Sequence, residues 1–250
     1  MKNSTLKLAT AIATITAASA ASSATLYTQD FDAMDVAGGS VPGFVIGNRN
    51  YASGGEWFES AAAPNSNEKY SKIEAENGGV YLSTFSDYST DGPFGPGQWG
   101  GSTDASTYVY TDVGNVSADQ VGETVTFDFD ARRTNLDLAN ASADAYLKLI
   151  NPNTGWSETL VVNQAGSDVG TDWASYSVSF DVEASHVGQL IQVGFTNRAS
   201  SDGTQAGTAS TGMNYDNLIV TSEVAAVPVP AAAWLFGSAL AGLTLVRRRK

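Results

Sequence analysis

The sequence predicts an all-β fold, an antiparallel β-sandwich of the jelly-roll type. The first observation is an alternation of apolar and polar residues with a period of two, clearest over 125–131 and 176–182. This period places one set of side chains in a core and the other in water, as in antiparallel sheets. Gly, Asn, Asp and Ser separate the alternating segments throughout, and these are residues of turns. No long segment has the 3.6-residue period of a helix.

Roughly ten short strands are expected from this pattern, a number typical of sandwiches and jelly rolls. The strongly alternating segments are 125–131, 145–149, 176–182 and 191–195, and further candidates are Leu26–Phe31, Gly79–Phe85, Thr107–Asp112, Glu158–Asn163 and Asn214–Thr221. Between Val116 and Val121 the sequence predicts one helical turn, capped by Ser117.

Three long polar segments are predicted to be loops: Ala33–Asn50, Ser86–Ser106 and Asn197–Thr211. Long loops within a compact domain are often functional. The alternative is that they are tolerated surface insertions. Ser86–Ser106 is the strongest candidate for function because it carries Trp99 among several glycines.

The C-terminal segment has three parts in a fixed order: a proline motif (227–230), an uncharged run (231–246) and four cations (247–250). As a helix, the uncharged run would span about 24 Å at ~1.5 Å per residue, which is short for a bilayer core of roughly 30 Å. The uncharged residues before it lengthen the segment. We therefore predict a transmembrane helix whose cations stay in the cytoplasm; an ordinary membrane anchor or a buried helix are the alternatives.

This tail resembles the PEP-CTERM sorting signal of Gram-negative bacteria. Val229 stands where the family has its Glu, so the motif is similar to the Val-Pro-x-Pro-Ala variant. The resemblance implies recognition by an exosortase, transient residence in the inner membrane and cleavage near the prolines. The protein would then reach the cell surface or an extracellular exopolysaccharide matrix. The residues that carry this signal are Val227, Pro228, Val229, Pro230, Arg247, Arg248 and Arg249.

The N-terminal segment has the features of a signal peptide, predicted over 1–24. A short basic start precedes the uncharged run Leu8–Ala21, and small residues follow it. Signal peptidase would cut after Ala24, or alternatively after Ala20. The remaining chain divides into a single β-sandwich domain over 25–222 and the sorting tail over 223–250.

The predicted domain is strongly acidic and has no cysteine. Six of the 13 Lys and Arg residues and one of the 26 acidic residues, Glu223, lie in the terminal segments, which leaves seven basic against 25 acidic residues and a net charge of −18. Such a surface repels nucleic acid and anionic lipid, and it attracts divalent cations. Without cysteine no disulfide can form, so stability must come from the core or from bound metal.

The domain also resembles the carbohydrate-binding modules of the galactose-binding-like jelly-roll fold. The similar patterns are the opening Asp30-Phe31-Asp32, the closing segment 215–220 and the central segment 173–180. In that family the first and last strands lie together, often beside a structural calcium. The resemblance implies Asp30, Asp32 and Asp216 as Ca²⁺ ligands, whose oxygens suit this ion. Solvated carboxylates are the alternative.

Sugar binding requires exposed aromatic faces beside amide and carboxylate groups. Four aromatic residues lie in or beside polar segments and are the candidates: Trp99, Tyr88, Trp57 and Trp156. Trp99 is the first choice because its glycine-rich surroundings offer little surface that could bury it. Packing is the alternative for each.

Catalysis is not expected. His186 is the one histidine, which excludes a multi-histidine metal site, and no Gly-x-Ser-x-Gly motif precedes it. The 26 acidic residues leave open a carboxylate pair for glycoside hydrolysis. The expected function is therefore non-catalytic polysaccharide binding, with a purely structural matrix protein and a carbohydrate-active enzyme as alternatives.

Overall fold

In the computed structural model the described residues are 23–34, 41, 43–52, 55–60, 71–87, 104–136, 141–200 and 210–224. Ser23–Glu223 form one compact unit. The predicted sorting motif, the predicted transmembrane helix (231–246) and nearly all of the predicted signal peptide lie outside the described residues. Within the described part, no helix combines the length and the apolar character needed to cross a membrane.

The described residues form twelve strands, joined in part by single 3-10 turns. The strands are β1 Ser23–Gln29, β2 Val45–Ala52, β3 Gly55–Ser60, β4 Ser71–Glu76, β5 Gly79–Asp87, β6 Asp104–Asn115, β7 Glu123–Leu136, β8 Ala141–Asn151, β9 Ser157–Ala165, β10 Ala174–Asp181, β11 Leu190–Ser200 and β12 Ser210–Val224. The 3-10 turns are Ala118–Gln120, Pro152–Thr154, Gly166–Asp168 and Ala184–His186.

These strands form two antiparallel sheets of six strands each, which confirms the predicted sandwich. The first sheet has the order β10-β7-β12-β5-β4, with β1 also paired to β12. The second has the order β3-β2-β6-β11-β8-β9. The first and last strands lie side by side, with Gln29 opposite Leu218 and Ser23 opposite Glu223. This placement confirms what the resemblance to the jelly-roll modules implied.

The core lies between the sheets and follows the period-two alternation. Phe127 and Phe129 of β7 are buried, as are Val193 and Phe195 of β11. The ring of Phe195 stacks on that of Tyr215 from the opposite sheet, with 3.7 Å between centroids. Apolar side chains buried in this way contribute most of the free energy of folding.

All nine predicted strands overlap observed ones, but three strands were not predicted. The predicted loop Ala33–Asn50 is wrong from Val45 onward, where β2 begins. Strand β3 also lacks a clear apolar alternation, and in β4 the alternation of Ile73 and Ala75 with charged residues is short. Pairing with neighbouring strands fixes such segments, because strand formation depends on context more than on intrinsic preference. The two later segments predicted as loops are strand at their ends, since β5 continues to Asp87 and β12 begins at Ser210.

The predicted helical turn is present as the 3-10 turn Ala118–Gln120 with Ser117 as its N-cap. The backbone N–H of Ser117 donates to Oε1 of Gln120 at 2.8 Å. This side chain satisfies a donor that the short turn leaves free.

Replacing Phe129 by Ala should remove the central aromatic contact of the core. Its ring lies within 6.2 Å of the rings of Phe127, Tyr176, Phe195 and Tyr215. We expect a loss of about 3–5 kcal/mol in the free energy of unfolding, measured by urea denaturation. Ser179→Ala, on an exposed position of β10, is the control and should change it by less than about 0.5 kcal/mol. Similar losses of unfolding free energy in the two variants would contradict this account of the core.

Candidate functional site

A groove of about 890 Å³ lies on the outer face of the second sheet. Its floor and walls come from β2, β6, β11, β8 and β9, together with the turn between β8 and β9. The residues that line it are Val45, Ile46, Tyr108, Tyr110, Asp112, Asp144, Tyr146, Lys148, Ile150, Trp156, Glu158, Val161, Asn163, Leu190, Gln192 and Thr196. We refer to this feature as the groove.

Strand register arranges the floor in rows that run across the sheet. The central row places Tyr110, Gly194 and Tyr146 opposite one another on β6, β11 and β8. The row on one side holds Asp112, Gln192 and Lys148. Directly opposed residues of antiparallel strands share a face, so each row presents its side chains together. The groove therefore has an aromatic centre bordered by polar residues.

Gly194 creates the space that the aromatic centre occupies. A Cβ atom at this position would lie 2.7 Å from the Cβ of Tyr110 and 2.7 Å from the hydroxyl oxygen of Tyr146. It would also collide with the carbonyl oxygen of Val109, which is backbone and cannot rotate away. The absence of a side chain at Gly194 thus lets the Tyr146 hydroxyl lie against the sheet.

Two tyrosines of the central row are held in the neutral form. Burial raises the pKa of Tyr110, and the charge of Asp112 raises it further. Burial also raises the pKa of Tyr146, whose ring is 5% exposed, and nearby Tyr110 and Glu158 add to the effect. Both phenols therefore remain hydrogen-bond donors at neutral pH. The Tyr146 hydroxyl is buried and has no hydrogen-bond partner, an arrangement that a bound water would complete.

Hydrogen bonds and one ion pair order the polar residues around the tyrosines. Gln192 Nε2 donates to Asp112 Oδ1 at 2.8 Å, and Asn163 Nδ2 donates to Asp144 Oδ1 at 3.0 Å. Lys148 Nζ lies 2.7 Å from Glu158 Oε1. These contacts hold the side chains in place before any ligand arrives, which lowers the entropic cost of binding.

The ammonium group of Lys148 also contacts the aromatic centre. Its Nζ atom lies 4.8 Å from the centroid of the Tyr146 ring, within the range of a cation–π interaction. The lysine side chain itself is only 15% exposed. Lys148 is therefore engaged by both a carboxylate and a ring.

Trp156 stands at one rim of the groove. Asn151 accepts a hydrogen bond from the N–H of Asn153 at 2.9 Å, which begins the 3-10 turn Pro152–Thr154, and Gly155 ends it with φ 73°. The backbone of Trp156 then also adopts positive φ, 63°, which is unusual for a bulky residue. This turn leaves its side chain 65% exposed.

The other sequence-predicted aromatic candidates are not placed in the groove by the described side chains. Trp57 lies on β3, an edge strand of the same sheet, where its backbone pairs with Asn50. Its side chain is outside the described part. Tyr88 and Trp99 lie outside the described residues altogether. Only Trp156 of the four is thus seen beside the groove.

The sequence analysis missed the tyrosines of the groove because it looked for aromatic residues in loops. Tyr146 occupies a polar position of the alternation 145–149, and Tyr108 and Tyr110 do the same in the candidate strand Thr107–Asp112. An aromatic residue at a position that faces water is the signal that could have found this surface.

The three predicted calcium ligands lie at one end of the β1–β12 pair. Burial and, to a smaller extent, the charges of Asp32, Asp130 and Asp30 raise the pKa of Asp216 to about 6, although the backbone N–H of Asn217, which donates to Asp216 Oδ1 at 2.7 Å, lowers it. These carboxylates are thus near enough to influence one another. Among the described residues, however, no three acidic or histidine side chains converge as ligands of a single ion. Calcium binding by this chain stays a prediction.

His186 lies in the turn between β10 and β11. Its Nδ1 accepts a hydrogen bond from the backbone N–H of Glu183 at 3.1 Å. The edge of the imidazole packs on Phe180, with 5.8 Å between ring centroids. These contacts give His186 a structural role in closing the turn.

Arg132 forms a closed cluster on the outer face of the first sheet. Its guanidinium pairs with Glu76 and lies 5.4 Å and 5.0 Å from the centroids of the Tyr81 and Trp173 rings. Trp173 remains 39% exposed there. It therefore provides an exposed tryptophan that is outside the groove.

No protein-family profile matches the chain, and no curated protein matches it in sequence. Several solved structures are similar at a distance. One structure concerns the promiscuous specificity of carbohydrate-binding modules from the β-sandwich superfamily. It has a TM-score of 0.43 and 14% sequence identity, and the match covers 77% of this chain and 62% of that structure's chain. The xylan-binding CBM22 domain of Paenibacillus barcinonensis has a TM-score of 0.40 and 10% identity, covering 80% and 94%. A cyclase from Fischerella sp. TAU has a TM-score of 0.43 and 11% identity, covering 82% and 99%. Because these proteins differ in activity, we transfer no functional residue from them.

The raised pKa of Asp216 predicts a pH-dependent stability. Its folded-state pKa of about 6 lies above the ordinary value of 3.8, so the folded state binds the proton more tightly. The stabilisation is complete below pH 3.8 and is lost as the pH rises through 6. Asp216→Asn removes the charge, and we expect it to raise the melting temperature by roughly 1–3 °C at pH 7.5, since solvent screens this half-buried group.

The measurement is thermal unfolding between pH 4 and pH 7.5 in buffer with EDTA. At pH 4 the variant and the wild type should melt together. Asp172→Asn, at an exposed position in another turn, is the control and should show no such pH dependence. A lower melting temperature of Asp216→Asn at pH 7.5 would show that the carboxylate stabilises the fold.

Proposed function

We propose that this protein binds a polysaccharide without catalysis, and that the groove is the binding site. The observation that carries the proposal is the row of Tyr110, Gly194 and Tyr146, bordered by ordered carboxylate and amide side chains. Sugars present both apolar C–H faces and hydroxyl groups, and this surface offers a partner for each. Exposed Trp156 adds a further ring at the rim.

The groove lies on a sheet, which favours recognition of an extended ligand. Strands of a packed sandwich move little, so the side chains on them keep their relative positions. The apolar side chains of Val45 and Val161 are 48% and 49% exposed at its border. A polymer lying across the rows would cover these side chains as well as the tyrosines.

We further propose that the protein acts outside the cytoplasm. The support is the sequence: a signal peptide to be removed by signal peptidase, and a tail that resembles an exosortase substrate. The folded unit ends at Glu223, four residues before the proline motif begins at Val227. Cleavage at the motif would therefore leave β12 whole and release the domain from the inner membrane to the cell surface or matrix.

Affinity electrophoresis tests the binding proposal. We would run the full chain through gels containing xylan, hydroxyethyl cellulose, glycol chitin or the exopolysaccharide of the source bacterium. Wild type should be retarded in at least one of them, and Trp156→Ala and Tyr110→Ala should each weaken that binding by about tenfold or more, as truncation of a central aromatic contact does.

Trp173→Ala is the matched control, since it removes an exposed tryptophan from the opposite sheet. It should migrate as wild type does. Equal retardation of wild type and all three variants would exclude the groove as the binding site. If no gel retarded the wild type, the alternative of a purely structural matrix protein would be favoured. Release of sugars from any of these polymers would contradict the non-catalytic assignment. Trp99→Ala, tested alongside, would show whether the segment 86–106 contributes.

The intact mass of the protein from its native host tests the proposed export and sorting. We expect a product that begins near Thr25 and ends near Pro230 in the culture or surface fraction. Cleavage after Ala20 instead would leave Ser23 and Ala24 to pair with Glu223 and Ser222. A membrane-bound product that keeps Trp234 to Lys250 would show that the tail is an anchor and not a sorting signal.

A further inference from the structure

The groove carries a net negative charge in its described lining. Three carboxylates, from Asp112, Asp144 and Glu158, face one ammonium group, that of Lys148. The ammonium is already paired with Glu158 at 2.7 Å. Two negative charges, those of Asp112 and Asp144, therefore have no cationic partner among the groove residues.

Neutral amides hold these two carboxylates in place. Gln192 donates to one Oδ1 atom of Asp112, and Asn163 donates to one Oδ1 atom of Asp144. An amide orients a carboxylate but does not neutralise it. An ionised carboxylate accepts several hydrogen bonds, so both residues keep the capacity to accept from a ligand.

The two carboxylates lie on opposite sides of the tyrosine row. Asp112 is two residues beyond Tyr110 on β6, and Asp144 is two residues before Tyr146 on β8. Strand spacings of about 4.8 Å and rises of about 3.4 Å per residue place their backbones roughly 17 Å apart. A ligand that contacts both must be a chain of several sugars.

The negative charge of the whole chain adds to that of the two groove carboxylates. The chain has a formal net charge of −13, and the predicted domain without its terminal segments is more acidic still. Such a field raises the local concentration of cations and repels polyanions at a range of about 10 Å in 0.1 M salt.

We propose that the groove selects a polysaccharide with free amino groups and rejects polyuronates and sulfated chains. This inference rests on the proposed function and assigns a substrate class to the same site. Protonated amines of sugars a few residues apart in the polysaccharide would donate charge-assisted hydrogen bonds to Asp112 and Asp144, while a sugar ring between them lies against Tyr110. A carboxylated chain would place like charges in the same positions.

Calorimetric titration with three hexamers tests the proposal at pH 6 and low salt. The probes are a glucosamine hexamer, its N-acetylated counterpart as a neutral match and a galacturonate hexamer. We expect the glucosamine hexamer to bind about tenfold more tightly than the acetylated one, and the galacturonate hexamer to bind most weakly. Raising the salt from 20 to 200 mM should narrow these differences.

A double variant separates the groove from the overall charge. Asp112→Asn with Asp144→Asn should abolish the preference for the amino form, so that the glucosamine and acetylated hexamers bind this variant with similar affinities. Asp168→Asn with Asp172→Asn changes the net charge equally at exposed positions outside the groove, and it should retain the preference.

Tight binding of the galacturonate hexamer, or an amino preference that survives in the Asp112/Asp144 variant, would overturn the charge selection while leaving polysaccharide binding intact. If the Asp168/Asp172 variant lost the preference for the amino hexamer, that preference would arise from the net charge of the protein, and this result would also overturn the proposal. If no hexamer bound in the calorimeter and no polysaccharide gel retarded the protein, the result would instead count against the proposed function itself.

Discussion

The stacking of Phe195 on Tyr215 joins the two sheets, and both the core and the groove depend on it. Phe195 belongs to β11, whose inward residues Ile191 and Val193 are also buried. The outward residues of the same strand, Gln192 and Gly194, form the middle of the groove floor. Since successive side chains of a strand point to opposite faces, the position of one set fixes that of the other. A shift of β11 by one residue would exchange the residues of the core with those of the groove floor.

The same alternation explains why much of the fold could be predicted from the sequence. Segments with a strict apolar–polar period, such as 125–131 and 191–195, were assigned correctly because burial of one face leaves a direct mark on the residue pattern. The strands β2 and β3 could not be recognised, since charged residues, Asn and Gly interrupt their pattern, and the alternation in β4 is too short to stand out. Pairing with neighbours determines the conformation of all three.

The groove could not be predicted for a different reason. Its residues come from five strands that are far apart in the chain, and only the order β2-β6-β11-β8-β9 brings them together. Single-sequence patterns contain no information on that order. Trp156 was identified because an exposed turn residue can be recognised locally, whereas the row of Tyr110, Gly194 and Tyr146 exists only through register.

The central position of β12 has a mechanical consequence. This 15-residue strand is hydrogen-bonded to β7 on one side and to β5 and β1 on the other, and the chain continues from its end toward the proline motif. Tension applied through the following residues therefore enters the middle of a sheet and is shared by three neighbouring strands. A strand at the edge of the sheet would peel away under a smaller force, one hydrogen bond at a time. The fold therefore resists a pull applied from the C-terminal end of β12.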